Sequence, residues 1–349
     1  MKINAVDLFC GLGGLTHGLQ KTGINVVAGI DIEETCEFPY EKNNNSYFIC
    51  KDIKEMSSDE IDELYPKDTD VKVLVGCAPC QPFSSYSYRY KGEDHTLNKM
   101  DLLYYFGRII EDIQPEIVSM ENVPQLSRTK VFKDFLKVLV KNGYKVDWKI
   151  VYAPDYGIPQ NRKRLILLAS KITNIRIIDK LYTSENYVTV REAIGDLEKI
   201  QAGEISSKDK MHRSAKLSKK NLERIKQSKP GGTWKDWDSD LLLNCHKKST
   251  GNTYRSVYGR MEWDKPSPTI TTQYYGYGNG RFGHPEQNRA ISLREGAILQ
   301  TFPRDYEFVE DWSKISVREV ATAIGNAVPV KLAEVIGKSI IKSLRGGII

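Results

Sequence analysis

Apolar residues in the first 170 positions fall into short runs separated by amphipathic stretches. Runs at about 3–9, 25–31, 46–50, 71–76, 116–121, 146–153 and 164–169 have the length and β-branched content of strands. Helical periodicity marks 13–22, 33–43, 100–113 and 129–142 between them. Such alternation predicts an α/β domain whose mostly parallel sheet is covered on both faces, with ligands held beyond the carboxyl ends of its strands. From about 185 to 290 the periodicity fades. A Lys- and Ser-rich stretch (205–229), Pro230-Gly231-Gly232, Trp234, Trp237 and a Gly/Tyr-rich run from Tyr274 to Gly283 predict a smaller domain of short strands and long loops. Regular pattern returns at Ser292, an N-cap whose capping box Glu295 completes. A last helix is expected from about Val317, interrupted near Gly325 and resuming at Pro329 toward Leu344.

Composition narrows the class. The 349 residues suffice for one large and one smaller domain, and 40% hydrophobic with 28% charged residues is ordinary for a globular protein. No run of eighteen uncharged apolar residues occurs, so no membrane span is expected. Asp7 interrupts the first apolar run and no basic segment precedes a cleavage site, so a secretory signal is excluded and a cytoplasmic location expected. Residues 185–290 carry 19 basic and 13 acidic side chains, a surplus equal to the whole chain's net charge of +6. Charge concentrated in one segment suits a polyanionic partner; a solvated basic face is the plainer alternative. Six irregularly spaced cysteines do not form a disulfide framework. Cys77 and Cys80 lack the second cluster that a zinc site requires, so no metal is expected, and a thioredoxin-like dithiol stands as a competing reading.

Four segments carry the chemistry. Pro79-Cys80-Gln81-Pro82-Phe83-Ser84 follows the strand at 71–76 and holds one thiol on a proline-bracketed turn, a setting that suits a nucleophile. Forty-one residues downstream, Glu121-Asn122-Val123-Pro124 ends another strand, so a thiol and a carboxyl can face one pocket from separate strand ends. Asp7-Leu8-Phe9-Cys10-Gly11-Leu12-Gly13-Gly14 turns from the first strand into the first helix. Its glycines permit close approach of a ligand, while Asp31 and Asp52, ending the next two strands, suit ribose hydroxyls and an adenine amino group. The third glycine of the dinucleotide fingerprint is missing at its expected spacing, which favours a nucleoside without a pyrophosphate. Finally, Gln160-Asn161-Arg162-Lys163-Arg164 enters a strand whose alternation points Gln160, Arg162 and Arg164 one way; a surface basic cluster is the alternative.

Taken in order with Arg294-Glu295, Gln300-Thr301-Phe302-Pro303 and Gly325-Asn326-Ala327-Val328-Pro329, these segments closely resemble the cytosine-C5 DNA methyltransferases. The resemblance covers 5–170 and 290–340 and leaves unmatched the basic segment, where that family holds its target recognition domain. It implies a Rossmann-like mixed sheet that binds S-adenosylmethionine. The large domain would be discontinuous, 1–184 plus 291–349, with 185–290 as the recognition domain. Phe9, Gly11, Leu12, Gly13, Gly14, Asp31, Ile32, Asp52, Ile53, Pro79, Leu102, Asn326 and Val328 would line the cofactor site. Cys80 would be the nucleophile, Glu121 the acid, and Arg162 and Arg164 a cationic clamp, scaffolded by Gln160, Asn122 and Pro82.

The implied activity is transfer of a methyl group to C5 of a cytosine rotated out of duplex DNA, through a bond between Cys80 and C6. Ser84 and Arg89, in a loop suited to close over DNA, and Arg255, Arg260, Gln273, Tyr274, Tyr275 and Arg281 in the basic segment are the candidate DNA contacts. A tRNA methyltransferase of the same architecture is the nearest rival, and an oxidoreductase using Cys77 and Cys80 a remote one. No regulatory extension precedes the glycine turn. That is the arrangement expected of a stand-alone prokaryotic or phage modification enzyme, a monomer on DNA paired with a separately encoded restriction endonuclease.

Overall fold

The computed structural model of the chain describes residues 1–79, 94–248, 251 and 255–346, with backbone alone for 94–100. The order begins β1 (Ile3–Leu8), α1 (Gly14–Gln20), β2 (Asn25–Asp31), α2 (Glu37–Asn43), β3 (Tyr47–Cys50), α3 (Ser58–Asp62) and β4 (Val71–Gly76). It continues with α4 (Asp94–Ile113), β5 (Ile117–Asn122), α5 (Lys130–Lys141), β6 (Lys145–Tyr152), β7 (Gln160–Asn161) and β8 (Lys163–Ser170). Then come α6 (Val190–Ile194), α7 (Lys219–Gln227), β9 (Ser267–Pro268), α8 (Leu293–Leu299), α9 (Val317–Asn326) and α10 (Val330–Gly346).

The residues form two compact units. The first comprises Met1–Tyr156, Lys163–Leu181 and Ala327–Ile349. Its seven-stranded sheet runs β3-β2-β1-β4-β5-β8-β6, parallel from β3 to β5 and antiparallel where β8 meets β5 and β6. Every residue of β1 and of β5 is buried, as central strands covered on both faces require. The amphipathic α5 shows how the covering forms: Thr129 caps its first turn, and Val131, Phe132, Phe135 and Leu139 form one apolar stripe. The strand order reverses between β1 and β4, and in such sheets the crevice beyond the strands' carboxyl ends at that point takes ligands.

The second unit comprises Gly157–Arg162 and Tyr182–Asn326, broader than 185–290 at both ends. Its regular pairing, among the described residues, is one two-residue parallel pair, β7 with β9, and a few isolated bridges. The short strands expected there are replaced by loops and short helices. Buried arginines hold these loops together. Arg260 donates to the carbonyls of Ile225, Ser228, His284 and Gln287, filling the role that ladder bonds play in a sheet. Fully buried Arg289 forms a two-pronged pair with Glu295, both bonds 2.7 Å, and Glu295 also caps Ser292 as the sequence suggested. The α9–α10 stretch is apolar and long enough to cross a membrane by composition, yet 67% of its most apolar window is buried in protein, and the helix breaks at 327–329.

Candidate active site

At the end of β1 the chain enters the left-handed region three times within five residues, at Phe9 (φ 62°), Gly11 (φ 49°) and Gly13 (φ 82°). The two glycines adopt it without steric cost. The Gly11 N–H donates to Asp31 Oδ2 at 2.8 Å, while Asp31 Oδ1 accepts from the Glu33 N–H at 3.0 Å. The acidic side chain at the end of β2 therefore shapes the turn that follows β1. Beneath the turn lies Asp7, fully buried. Its Oδ2 accepts from Thr16 Oγ1 at 2.8 Å, and its Oδ1 has no hydrogen-bond partner among the described residues. Burial pushes its carboxyl up to about 7.

Around this turn, Leu12, Gly13, Gly14 and Ile53 are buried, and Phe9, Asp31, Asp52, Pro79 and Leu102 are half-buried. Ile32 is 63% exposed, unusual for a large apolar side chain directly after a core strand. Asp52 Oδ1 accepts from the Lys54 N–H at 2.9 Å. The rigid glycine turn, half-buried carboxylates on neighbouring strand ends, an orphaned buried oxygen and an uncovered isoleucine suit a nucleoside with an amino-acid tail, and thus S-adenosylmethionine. Val328 lies buried in the first unit. Asn326 is exposed at the end of α9 in the second.

The second strand-end cluster surrounds Glu121, which is 2% exposed. Parallel register sets Gly76 beside Met120, so Cys77, the first residue after β4, lies next to Glu121, which is still in β5, and the Cys77 thiol donates to Glu121 Oε2 at 2.9 Å. On the other side, β5 and β8 pair Glu121 with Ile166, which makes Arg164 the diagonal neighbour on the same face. Arg164 Nε stands 2.9 Å from Glu121 Oε1, but its N–H does not point along a hydrogen bond, so the contact is one of charge. Arg164 is further steadied by a 2.7 Å bond from its guanidinium to the Lys163 carbonyl. Asn122 donates to the Ala78 carbonyl at 2.9 Å, pinning the chain two residues ahead of Cys80. Cys80 itself, with Ser84 and Arg89, lies outside the described residues.

Arg162 is buried in the second unit, where its guanidinium reaches the Ile270 carbonyl at 3.1 Å and Gln160 Oε1 at 3.4 Å. Gln160 forms the hub there, bonded to Leu299 O, Gln300 Oε1 and the Ile270 N–H. Among the candidate DNA contacts, Arg255 and Gln273 are exposed, and Tyr275 and Arg281 half-buried. Arg281 donates to the Gly232 carbonyl at 2.7 Å. Two of the candidates are buried. Tyr274 is fully buried with its hydroxyl on Leu293 O, and Arg260 is buried with its donors on loop carbonyls. Sequence reasoning missed the Cys77–Glu121 contact, which becomes visible only once the register of β4 and β5 is fixed.

A family model described as C-5 cytosine-specific DNA methylase matches residues 3–342. The type II methylase M.HgiDII of Herpetosiphon aurantiacus is 52% identical over 344 residues, which covers 98% of this chain and 96% of the relative. The type II methyltransferase M1.BsuMI of Bacillus subtilis is 32% identical over 350 residues, covering 95% and 78%. In fold, a prophage-encoded protein from E. coli, assigned as a DNA modification methyltransferase, superposes with a TM-score of 0.74 at 23% identity, covering 98% and 99%.

Proposed function

The chain belongs to the C-5 cytosine-specific DNA methylase family, and from that premise we propose that it is the modification enzyme of a type II restriction–modification system, methylating one cytosine within a specific duplex site. S-adenosylmethionine, when bound, would supply the methyl group from its sulfonium, the S–CH3 bond breaking and its electron pair returning to sulfur to leave the neutral thioether S-adenosylhomocysteine. The glycine turn Phe9–Gly14 with Asp31, Ile32, Asp52 and Ile53 would hold it, joined by Pro79, Leu102 and Val328.

Carbon 5 of cytosine is a weak nucleophile. The Cys80 thiolate adds to C6, forming the S–C6 bond and moving the electron pair of the C5–C6 double bond toward C5, which then takes the methyl group. Glu121, sharing a proton with N3, offsets the charge that develops on the ring. Arg164 keeps that carboxyl oriented. Loss of the C5 proton to solvent and cleavage of the S–C6 bond restore the double bond and the thiolate. A stacked base hides C6, so the target nucleotide rotates out of the duplex at a cost of a few kcal/mol.

The observation that carries this reading is the buried Glu121 held between the Cys77 thiol and Arg164, beside a backbone pinned just ahead of Cys80. The second unit, with exposed Arg255 and Gln273 and half-buried Tyr275 and Arg281, would read the site, and a separately encoded endonuclease would cut it when unmodified. Labelled methyl transfer to duplex DNA and to tRNA, compared side by side, tests the substrate class. Incorporation into DNA, located by conversion sequencing at one repeated motif, is expected; incorporation into tRNA alone would overturn it.

A further inference from the structure

Cys77 stands three residues before the expected nucleophile and takes no part in the steps above. Its thiol nevertheless donates to one oxygen of the buried Glu121 carboxyl, at 2.9 Å. The other oxygen faces Arg164 Nε at the same distance without an aligned hydrogen bond. A carboxyl end group is a broad, two-fold rotor. Here a donor on Oε2 and a cation beside Oε1 together define its plane. The strands place this donor, since Gly76 and Met120 are register partners and the residues that follow them lie side by side.

We propose that Cys77 is a positioning residue for methyl transfer, its thiol fixing the Glu121 carboxyl in the orientation that meets the cytosine ring. The inference rests on Glu121 being the group that faces N3. Because a thiol is a weak donor, the effect is modest: losing it costs about tenfold in the chemical step, the low end for a hydrogen bond to a charged group. Binding of cofactor and DNA, which involves other residues, is unaffected.

The test uses the full chain, labelled S-adenosylmethionine and unmethylated plasmid DNA under single-turnover conditions. Cys77→Ala should slow methyl transfer about tenfold with unchanged KM for both substrates, while Cys77→Ser, which keeps a donor, should stay within about threefold of the parent. Cys77→Gly serves as a second donorless variant where alanine does not fold. Adding Cys77→Ala to Glu121→Gln should produce no further slowing. Parent-like rates in both donorless variants would overturn the proposal. So would a serine variant as slow as alanine, or a loss that multiplies in full on Glu121→Gln. A Glu121→Gln enzyme at full rate would instead remove the premise.

Discussion

Arg164→Ala probes the site's electrostatics most sharply. Arg164 is 14% exposed, and its Nε lies 2.9 Å from a carboxylate that is almost wholly buried. Removing one partner of a buried pair costs about 3–5 kcal/mol, because a charge is left behind in a poor solvent for it. Partial exposure and the absence of an aligned N–H bond place this pair near about 3 kcal/mol. With an unfolding entropy of about 2.1 cal/mol/K per residue, about 0.7 kcal/mol/K for 349 residues, the melting midpoint should fall by about 4 °C. The contact's character makes a finer prediction. A two-pronged arginine–carboxylate pair does not tolerate lysine, whereas a contact of charge alone does. Arg164→Lys should therefore recover most of the lost stability. Single-turnover rates should fall by about 10²–10³ in the alanine variant, as when one preorganised donor is lost elsewhere, with lysine in between. Calorimetry and rapid-quench methyl transfer measure both effects. An alanine variant that melts within about 1 °C of the parent, or a lysine variant as unstable as alanine, would refute the reasoning.

Other expectations follow from the same geometry. Asp31→Ala removes the acceptor of the Gly11 N–H and should weaken S-adenosylmethionine binding by about 10–100-fold in calorimetry, leaving DNA binding unchanged. Glu295 is held down to about 2, burial opposing and the Arg289 guanidinium outweighing it. Its stabilisation of about 3 kcal/mol is full above pH 4.5 and lost as pH falls toward 2. His284, held down to about 4 by burial, costs stability below pH 6.5, while buried Asp7, held up to about 7, adds it over the same range; the urea midpoint should therefore decline chiefly below pH 4.5, and Glu295→Gln should abolish that decline. Gly325→Ala puts a Cβ 2.5 Å from the Thr271 carbonyl group, a backbone clash that should cost about 1–3 kcal/mol or abolish folding, seen in the same titration. Arg255→Ala should lower the salt-dependence slope of DNA binding by about one, whereas Tyr274→Phe should cost stability with no change in site preference.

The sheet was legible in the sequence because each central strand is a short apolar run bounded by polar turns, and the residues that close β1, β2 and β5 carry the chemistry. Glu121 and Arg164 were legible as candidates for the same reason, each being a charged residue at the end of a buried strand. The short α3 was not, since its five residues depend on the Ser57–Glu60 capping box and offer no periodicity. Arg260 was expected on the surface because arginine is seldom buried unless its donors are satisfied; here the loop carbonyls satisfying it lie 24 to 35 residues away. The same blindness hid the Gln160–Gln300 bond, which spans 140 residues and belongs to the second unit. Local pattern reports which residues face inward, and long-range hydrogen bonds decide what they meet there.

Catalysis by addition requires a transient sulfur–carbon bond at position 80. Duplex oligonucleotides with 5-fluorocytosine at the modified position block loss of the C5 substituent, so an addition pathway leaves enzyme and DNA joined. Incubation with S-adenosylmethionine followed by peptide mapping should find the nucleotide on Cys80. Recovery of free enzyme and unlinked methylated DNA, or an adduct on another side chain, would exclude Cys80 as the nucleophile.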